Sequence, residues 1–149
     1  MSKKKTLLGR KKGLYLRDTG VSGRGVFCTE AIRKGEILEV TPALLLNEQE
    51  TKLIDKTMLF NYTFVAGALS KRVRERAHIK NSKNCSCVIM GIISFCNHSD
   101  KPNAEVLWEE EDGTLYHSIR ATRPIPKNTE ICTSYGAGWF DDRKFSKVS

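Results

Sequence analysis

The chain consists of short apolar segments that are interrupted every few residues by turn-forming residues. The clearest pair of such segments, Glu105–Trp108 and Tyr116–Arg120, flanks Asp112-Gly113, which is a strong hairpin signal. Asn47 is a suitable cap for a helix over residues 48–58. The sequence has neither a strand–helix alternation nor a G-x-G-x-x-G motif, which argues against a parallel α/β sheet and a Rossmann fold. The pattern predicts a β-rich domain with one or two short helices. The other predicted strands are Leu14–Leu16, Gly25–Thr29, Ile37–Val40, Met58–Val65 and Ile131–Tyr135.

Polar side chains follow directly after the apolar run Val88–Ile93. Asn97-His98-Ser99 and Pro102-Asn103 offer amide, imidazole and hydroxyl groups where a simple surface turn is expected. A rigid apolar element that delivers such a polar loop is typical of a binding site. Tyr135 places a phenol at the end of the last predicted strand. We interpret the two segments as two walls of one pocket.

Four motifs in this order resemble those of the SET-domain family of protein lysine methyltransferases. They are Ser22–Phe27, Ala31–Glu39, Asn97-His98-Ser99 with Pro102-Asn103, and Ile125–Gly136. The resemblance covers about residues 13–140. It implies a mainly β fold with short helices, a SET-type β-clip of small sheets with a knot-like C-terminal segment. It also implies transfer of a methyl group from S-adenosylmethionine to a lysine ε-amine of a protein substrate.

The resemblance assigns roles to individual side chains. The implied catalytic residues are Tyr135, beside the transferring methyl group, and Tyr62, lining the pocket for the cofactor and the lysine. The implied cofactor-binding residues are Gly23, Arg24, Gly25, Asn97, His98, Tyr135 and Trp139. Phe140 is an alternative to Trp139 for stacking on adenine, and ordinary packing is an alternative for both. His98 is expected to contribute backbone groups and to use its ring structurally.

The implied reaction makes definite chemical demands. A lysine amine with a pKa of ~10.4 must lose its proton before it attacks the methyl group. A narrow apolar channel lowers that pKa by desolvation, and alignment of the amine with the methyl group lowers the barrier further. Neither a metal ion nor a strong side-chain nucleophile is required, so we assign no metal ligand.

The odd number of cysteines, five, indicates reduced thiols and hence an intracellular protein. Cys85 and Cys87 have a metal-like spacing, and a zinc site with His78 is the alternative to two thiols in a core strand. We expect no cysteine-rich zinc segment after Cys132.

Basic residues dominate the charge, with 25 lysines and arginines against 17 carboxylates. We expect a flexible basic tail over residues 1–12, a catalytic domain over 13–140 and a second tail over 141–149. The basic stretch 70–84 is interpreted as a surface insertion that either selects a partner or is merely solvated. The basic regions suggest a histone or nucleoprotein partner, and nuclear or chromatin localisation in a eukaryotic host, otherwise cytoplasmic. No apolar run has the ~20 residues of a membrane span.

Two rival functions remain at this point. One is a non-catalytic SET-like module that binds chromatin or cofactor. The other is a small nucleic-acid-binding β-domain, which is typically recognised by aromatic side chains interleaved with lysine and arginine on one strand face. Tyr15 is the one aromatic residue among the basic N-terminal residues. This weak signal favours the enzyme.

Overall fold

The computed structural model describes residues 5–21, 23–65, 69–81 and 85–134. The strands are β1 (Gly9–Arg10), β2 (Leu14–Asp18), β3 (Arg24–Cys28), β4 (Ile37–Leu45), β5 (Thr63–Val65), β6 (Ser86–Ile89), β7 (Asn97–His98), β8 (Ala104–Glu111), β9 (Thr114–Ala121) and β10 (Cys132–Thr133). The helices are α1 (Glu48–Ile54), α2 (Lys71–Arg76) and two 3-10 helices, Met58–Tyr62 and Ile92–Phe95. The described residues are therefore mainly β with short helices, as predicted.

The strands of the described residues form three sheets. The largest has the order β5-β6-β4-β9-β8, and β1 pairs with β4 outside this path. The two small sheets are the antiparallel pair β2-β3 and the parallel pair β7-β10. Strand β9 alternates half-buried and buried residues along its whole length, which is the pattern of a strand with one face in a core.

The chain divides into two compact units. Unit 1 comprises residues 1–8, 41–94 and 108–117, and unit 2 comprises residues 9–40, 95–107 and 118–149. Unit 1 contains both α-helices, β5 and β6. Unit 2 contains β1, β2, β3 and the pair β7-β10, and its residue ranges include all four sequence motifs.

Helix α1 starts where the sequence predicts. The Asn47 side chain accepts from the Glu50 backbone N–H, and the Glu50 carboxylate accepts from the Asn47 backbone N–H, each at 2.9 Å. This reciprocal pair is a capping box. The helix ends at Ile54, earlier than the predicted residue 58, and the chain turns into a 3-10 helix.

The predicted strand Met58–Val65 is wrong over most of its length. Residues Met58–Tyr62 form a 3-10 helix, whose start is capped by Thr57, and only Thr63–Val65 form strand β5. The apolar run carried no periodicity that could separate the two structures, because a short apolar segment fits a strand and a tight helix equally well.

The start of the chain is ordered further than the sequence predicts. Within the expected tail, Gly9 and Arg10 form β1 opposite Val40 and Glu39. Arg10 Nε lies 2.5 Å from the buried carboxylate of Glu39. Lys11 Nζ lies 2.6 Å from Glu36, which lowers the pKa of that carboxyl through their hydrogen bond. The ordered domain therefore begins at or before residue 9.

The basic stretch is also more firmly anchored than expected. Val73, in α2, is 1% exposed and Ile79 is 6% exposed, so two of its apolar side chains belong to the core of unit 1. Two carboxylates accept hydrogen bonds from backbone N–H groups of this stretch. Glu110 accepts from the Ser70 N–H at 2.9 Å, and Glu48 accepts from the Lys80 N–H at 3.1 Å. The stretch that was interpreted as a surface insertion therefore also contributes to a core.

Candidate active site

The pair β7-β10 places the third motif beside the fourth. Cys132 lies opposite Asn97 and Thr133 lies opposite His98 in parallel register. The Ser99 N–H donates to the Thr133 carbonyl at 3.0 Å, which continues the pairing beyond the strand. Strands separated by more than 30 residues are thus held side by side, and Thr133 is two residues from Tyr135 along the chain.

The Asn97 side chain is buried and its orientation is fixed. Its Nδ2 donates to Glu130 Oε2 at 2.6 Å and to the Arg24 carbonyl at 3.5 Å. Both partners are acceptors, so the amide nitrogen must face them and the amide oxygen must face the other way. The bond to Glu130 is short, as charge-assisted bonds are. Asn97 therefore connects the first motif to the fourth.

Gly25 is required by this arrangement. A Cβ atom at Gly25 would lie 2.5 Å from Glu130 Oε2 and 3.0 Å from Thr19 Cγ2, closer than side-chain contacts allow. Gly23 has a φ of 74°, the left-handed conformation that glycine adopts at little cost. The two glycines of the first motif thus have distinct roles, since Gly25 makes room for Glu130 and Gly23 makes the turn.

The His98 ring is buried and engaged within its own loop. Its Nε2 lies 2.9 Å from Asp100 Oδ1, across the turn that follows β7. This contact fits the expectation that the ring is structural, because a ring tied to a neighbouring carboxylate orients the loop that carries it.

Asn103 fastens the signature loop to the last strand. Its Oδ1 accepts from the Cys132 N–H and its Nδ2 donates to the Glu130 carbonyl, both at 2.9 Å. The Asn103 N–H in turn donates to the Cys132 carbonyl at 3.2 Å. A single buried amide therefore bonds to both sides of Ile131 and keeps β10 aligned with β7.

The Arg24 guanidinium lies over the Phe95 ring, with its central carbon 4.8 Å from the ring centroid. A cation over an aromatic face is attracted by the ring's quadrupole. Phe95 comes directly before Cys96-Asn97, so the segment that delivers Asn97 also holds the side chain of the first motif.

Two cysteines, Cys96 and Cys132, lie in the segments that form this site, and both thiols are buried. Burial raises the pKa of Cys96 well above its usual value and raises that of Cys132 to about 12. Both thiols therefore stay neutral at physiological pH, and neither acts as a thiolate nucleophile.

The structure brings together four of the predicted cofactor-site residues, Arg24, Gly25, Asn97 and, in the same strand, His98. Tyr135, Trp139 and Phe140 lie outside the described residues. Tyr62 ends a 3-10 helix in unit 1 and is half-buried.

Sequence reasoning assigned no role to three residues that the geometry brings to this site, Phe95, Asn103 and Glu130. Asn103 and Glu130 belong to the third and fourth motifs, so the sequence indicated that they lie near the site. It did not indicate which residues they bond to by hydrogen bonds.

No group of three or more histidine, cysteine, aspartate or glutamate side chains within residues 5–21, 23–65, 69–81 and 85–134 is arranged to hold a metal ion. Cys85 and Cys87 are both buried and unpaired, and the pKa of Cys87 is raised to about 12 by burial. The same described ranges contain no helix with the length and apolar character to cross a membrane.

Comparisons with known proteins agree with this geometry. A sequence model of the SET domain matches residues 23–136. A Schizosaccharomyces pombe protein named histone-lysine N-methyltransferase, H3 lysine-37 specific, is 32% identical over 135 residues, which are 89% of this chain and 80% of that protein.

Two solved structures are similar in fold. One is a Plasmodium falciparum protein assigned as a histone methyltransferase, with a TM-score of 0.58 and 26% identity over 87% of this chain and 98% of that one. The other is DIM-5, a SET-domain histone lysine methyltransferase of Neurospora, with a TM-score of 0.63 at 21% identity. That match covers 95% of this chain and 56% of DIM-5, and it shows the fold alone. The predicted SET-type β fold is confirmed, and the knot-like C-terminal segment falls outside the described residues. The chain belongs to the SET-domain family.

Proposed function

We propose that this chain is a protein-lysine N-methyltransferase that uses S-adenosylmethionine as methyl donor. The observation that carries the proposal is the fixed Asn97 amide, held between the first and fourth motifs by Arg24 and Glu130. An oriented buried amide that links three separated motifs is costly to build for packing alone, since each polar atom must find a partner. A binding pocket for a polar ligand explains why the Asn97 amide is buried and held in one orientation.

The residues present fit the polar end of the cofactor. The Asn97 amide oxygen faces away from Glu130 and can accept from the cofactor's ammonium group. The Arg24 carbonyl accepts from the same amide, and the turn at Gly23 directly precedes it. Because Gly23 has no Cβ, a ligand can approach the backbone closely there. When bound, the cofactor supplies an electrophilic methyl group on a sulfonium. His98 contributes backbone groups in the adjoining strand, and Trp139 or Phe140 is proposed for stacking on adenine.

Tyr135 is proposed as the residue at the transfer site. Its hydroxyl would orient the lysine amine and offer electron density to the positive sulfonium. Tyr62 is proposed to line the lysine channel. An apolar channel favours the neutral amine, which is the form that attacks.

The substrate is proposed to be a lysine on a histone or another chromatin-associated protein. The support is the relative from Schizosaccharomyces pombe, whose name specifies a histone lysine. Nuclear or chromatin-associated localisation is proposed on the same ground. The catalytic domain is proposed to extend to residue 140 as expected and to begin at or before residue 9 instead of 13, because β1 pairs with β4. This range surrounds the matched residues 23–136.

The proposal is tested by incubating the full chain with S-adenosylmethionine and a panel of histone octamer, nucleosomes and unrelated basic proteins. We expect a mass increase of one or more methyl groups on a lysine of a histone substrate. Cofactor binding without transfer to any protein would favour the non-catalytic module instead. Absence of both binding and transfer would reject the enzyme.

A further inference from the structure

Among the described residues, the excess positive charge does not lie in the basic stretch. The described part of unit 1, which includes the basic stretch, carries eight lysine or arginine side chains and eight carboxylates. Arg72 and Arg76 of that stretch face Asp112 at the tip of the β8-β9 hairpin, through an ion pair of 3.9 Å and a bond of 3.0 Å to its carbonyl. The described part of unit 2 carries eleven basic side chains and seven carboxylates. Among the described residues, the surplus therefore lies in unit 2.

Several cations of unit 2 are already engaged. Arg10 and Lys11 pair with Glu39 and Glu36, and Arg120 bonds to Glu105. Arg17 lies over the Phe27 ring at 4.0 Å, as Arg24 lies over Phe95.

These contacts leave six exposed cations of unit 2, and the backbone brings three of them together from distant parts of the sequence. The six are Lys12, Arg33, Lys34, Lys101, Arg123 and Lys127. Ile32 and Ile125 form an antiparallel bridge, and the Ala121 N–H donates to the Glu36 carbonyl at 2.9 Å. This register places Lys34 opposite Arg123. Arg123 Nη2 donates to the Lys101 carbonyl at 3.1 Å. Lys34, Lys101 and Arg123 are exposed, and the described residues contain no ion-pair partner for any of them.

Carboxylates close to these cations in sequence are occupied elsewhere. Glu36 accepts from Lys11 Nζ and from the Arg33 N–H, and Asp100 lies 2.9 Å from the His98 ring. The charges of the three cations are thus not neutralised as those of the basic stretch are.

We propose that Lys34, Lys101 and Arg123 form a docking surface for the phosphate backbone of duplex nucleic acid. Long exposed cations without carboxylate partners bind phosphates by releasing condensed counterions, which requires no sequence readout. A protein partner of ordinary affinity buries an apolar centre inside a polar rim. Residues 33–36, 99–103 and 121–127 contribute no exposed large hydrophobic side chain. Ile37, 42% exposed, follows the first range as a single apolar side chain, so this surface lacks an apolar centre.

The test measures binding of the full chain to a fluorescent 20-base-pair duplex of arbitrary sequence between about 50 and 200 mM salt. The variant combines Lys34→Gln, Lys101→Gln and Arg123→Gln. The matched control combines Lys52→Gln, Lys56→Gln and Lys71→Gln, which removes the same charge from exposed positions of unit 1. We expect the variant to raise Kd at least tenfold and to make the slope of log K against log salt less negative by about 2.7, since each lost phosphate contact contributes about 0.9. The control should stay within about twofold of wild type.

A charge-retaining set, Lys34→Arg, Lys101→Arg and Arg123→Lys, should bind as wild type does and keeps the test valid if the glutamine variant unfolds. Equal losses in the variant and the control would overturn the proposal, because total charge alone would then explain binding. Loss of binding to a poly-glutamate peptide with unchanged duplex binding would assign the surface to an acidic protein and also overturn it. Methylation of a short lysine peptide should be the same in all variants, so failure of this proposal is distinguishable from failure of the proposed enzyme activity.

Discussion

The Glu130 carboxylate determines the orientation of the Asn97 amide, because it accepts a hydrogen bond from Asn97 Nδ2. Glu130→Gln keeps the shape and replaces a charge-assisted bond by a neutral one. Bonds to charged groups contribute roughly 1 kcal/mol more than neutral bonds, so we expect the Kd for S-adenosylmethionine to rise about fivefold. Calorimetry measures this change. Glu105→Gln, which removes a more exposed carboxylate from its pair with Arg120, is the control and should leave Kd unchanged.

Gly25 gives a steric test of the same site. Gly25→Ala would place a methyl group 2.5 Å from Glu130 Oε2, so Glu130 must move away from Asn97. Overpacking of this kind costs about 1–3 kcal/mol, and we expect weaker cofactor binding together with a lower melting temperature. Gly9→Ala is the matched control, because nothing lies within 4 Å of its added Cβ. Equal behaviour of the two variants would show that Glu130 does not need the space.

Tyr135 carries the catalytic hypothesis, and its hydroxyl can be removed alone. We expect Tyr135→Phe to keep the melting temperature and the Kd for the cofactor and to lose most methyl transfer, because the ring still packs while the orienting group is gone. Single-turnover assays with a histone substrate separate transfer from binding. Turnover near that of wild type would move the catalytic role to another residue.

At the scale of elements, helix α2 is attached to the core by one small apolar side chain. Val73→Ala removes two buried methyl groups, and at ~0.8 kcal/mol per group plus a cavity contribution we expect a loss of about 2 kcal/mol in unfolding free energy. Denaturant titration of both variants measures the loss. Val65→Ala, at a position 73% exposed, is the control and should cost far less. A negligible effect of Val73→Ala would restore the view of a detachable insertion.

Helix caps and turns could be predicted from neighbouring residues, whereas the contacts of the site join residues far apart in the sequence and could not. The Asn47 cap and the Asp112-Gly113 turn depend on a few neighbouring residues, and both are present as predicted. The stretch Met58–Tyr62 was misassigned because an apolar run has no period of its own. The motifs identified Asn97 as a site residue, but its bond to Glu130 joins residues 33 apart and could not be derived from spacing.

At the scale of the whole molecule, the surplus of positive charge among the described residues does not lie in the segment where basic residues cluster along the sequence. The run Lys71–Lys80 looks basic when read along the chain, yet it folds against an acidic hairpin. Lys34, Lys101 and Arg123 form no run in the sequence and meet only through the Ile32–Ile125 bridge. Electrostatic partner surfaces in a β-rich domain therefore depend on strand register more than on sequence runs.

Global stability should depend on the pH through His117. This side chain is 1% exposed on β9, its ring packs edge-on against Trp108, and neither ring nitrogen has a hydrogen-bond partner among the described residues. Burial lowers its pKa from 6.5 to about 4. Between these two values the unfolded chain binds a proton that the folded chain does not, so the free energy of unfolding falls as the pH is lowered from 6.5 to 4, by about 3 kcal/mol in total.

The carboxyls of Glu36 and Glu48, whose pKa values are lowered by hydrogen bonds, lose their contribution in a more acidic range, below about 4.5. His117→Phe keeps an aromatic ring against Trp108 and removes the titrating group. We expect denaturant unfolding of this variant to show a much flatter pH dependence between 6.5 and 4.5 than wild type. His78→Gln, at an exposed histidine, should keep the wild-type slope. If His117→Phe also keeps that slope, the acid sensitivity between pH 6.5 and 4.5 does not come from His117, and burial does not lower the pKa of this side chain in the folded protein.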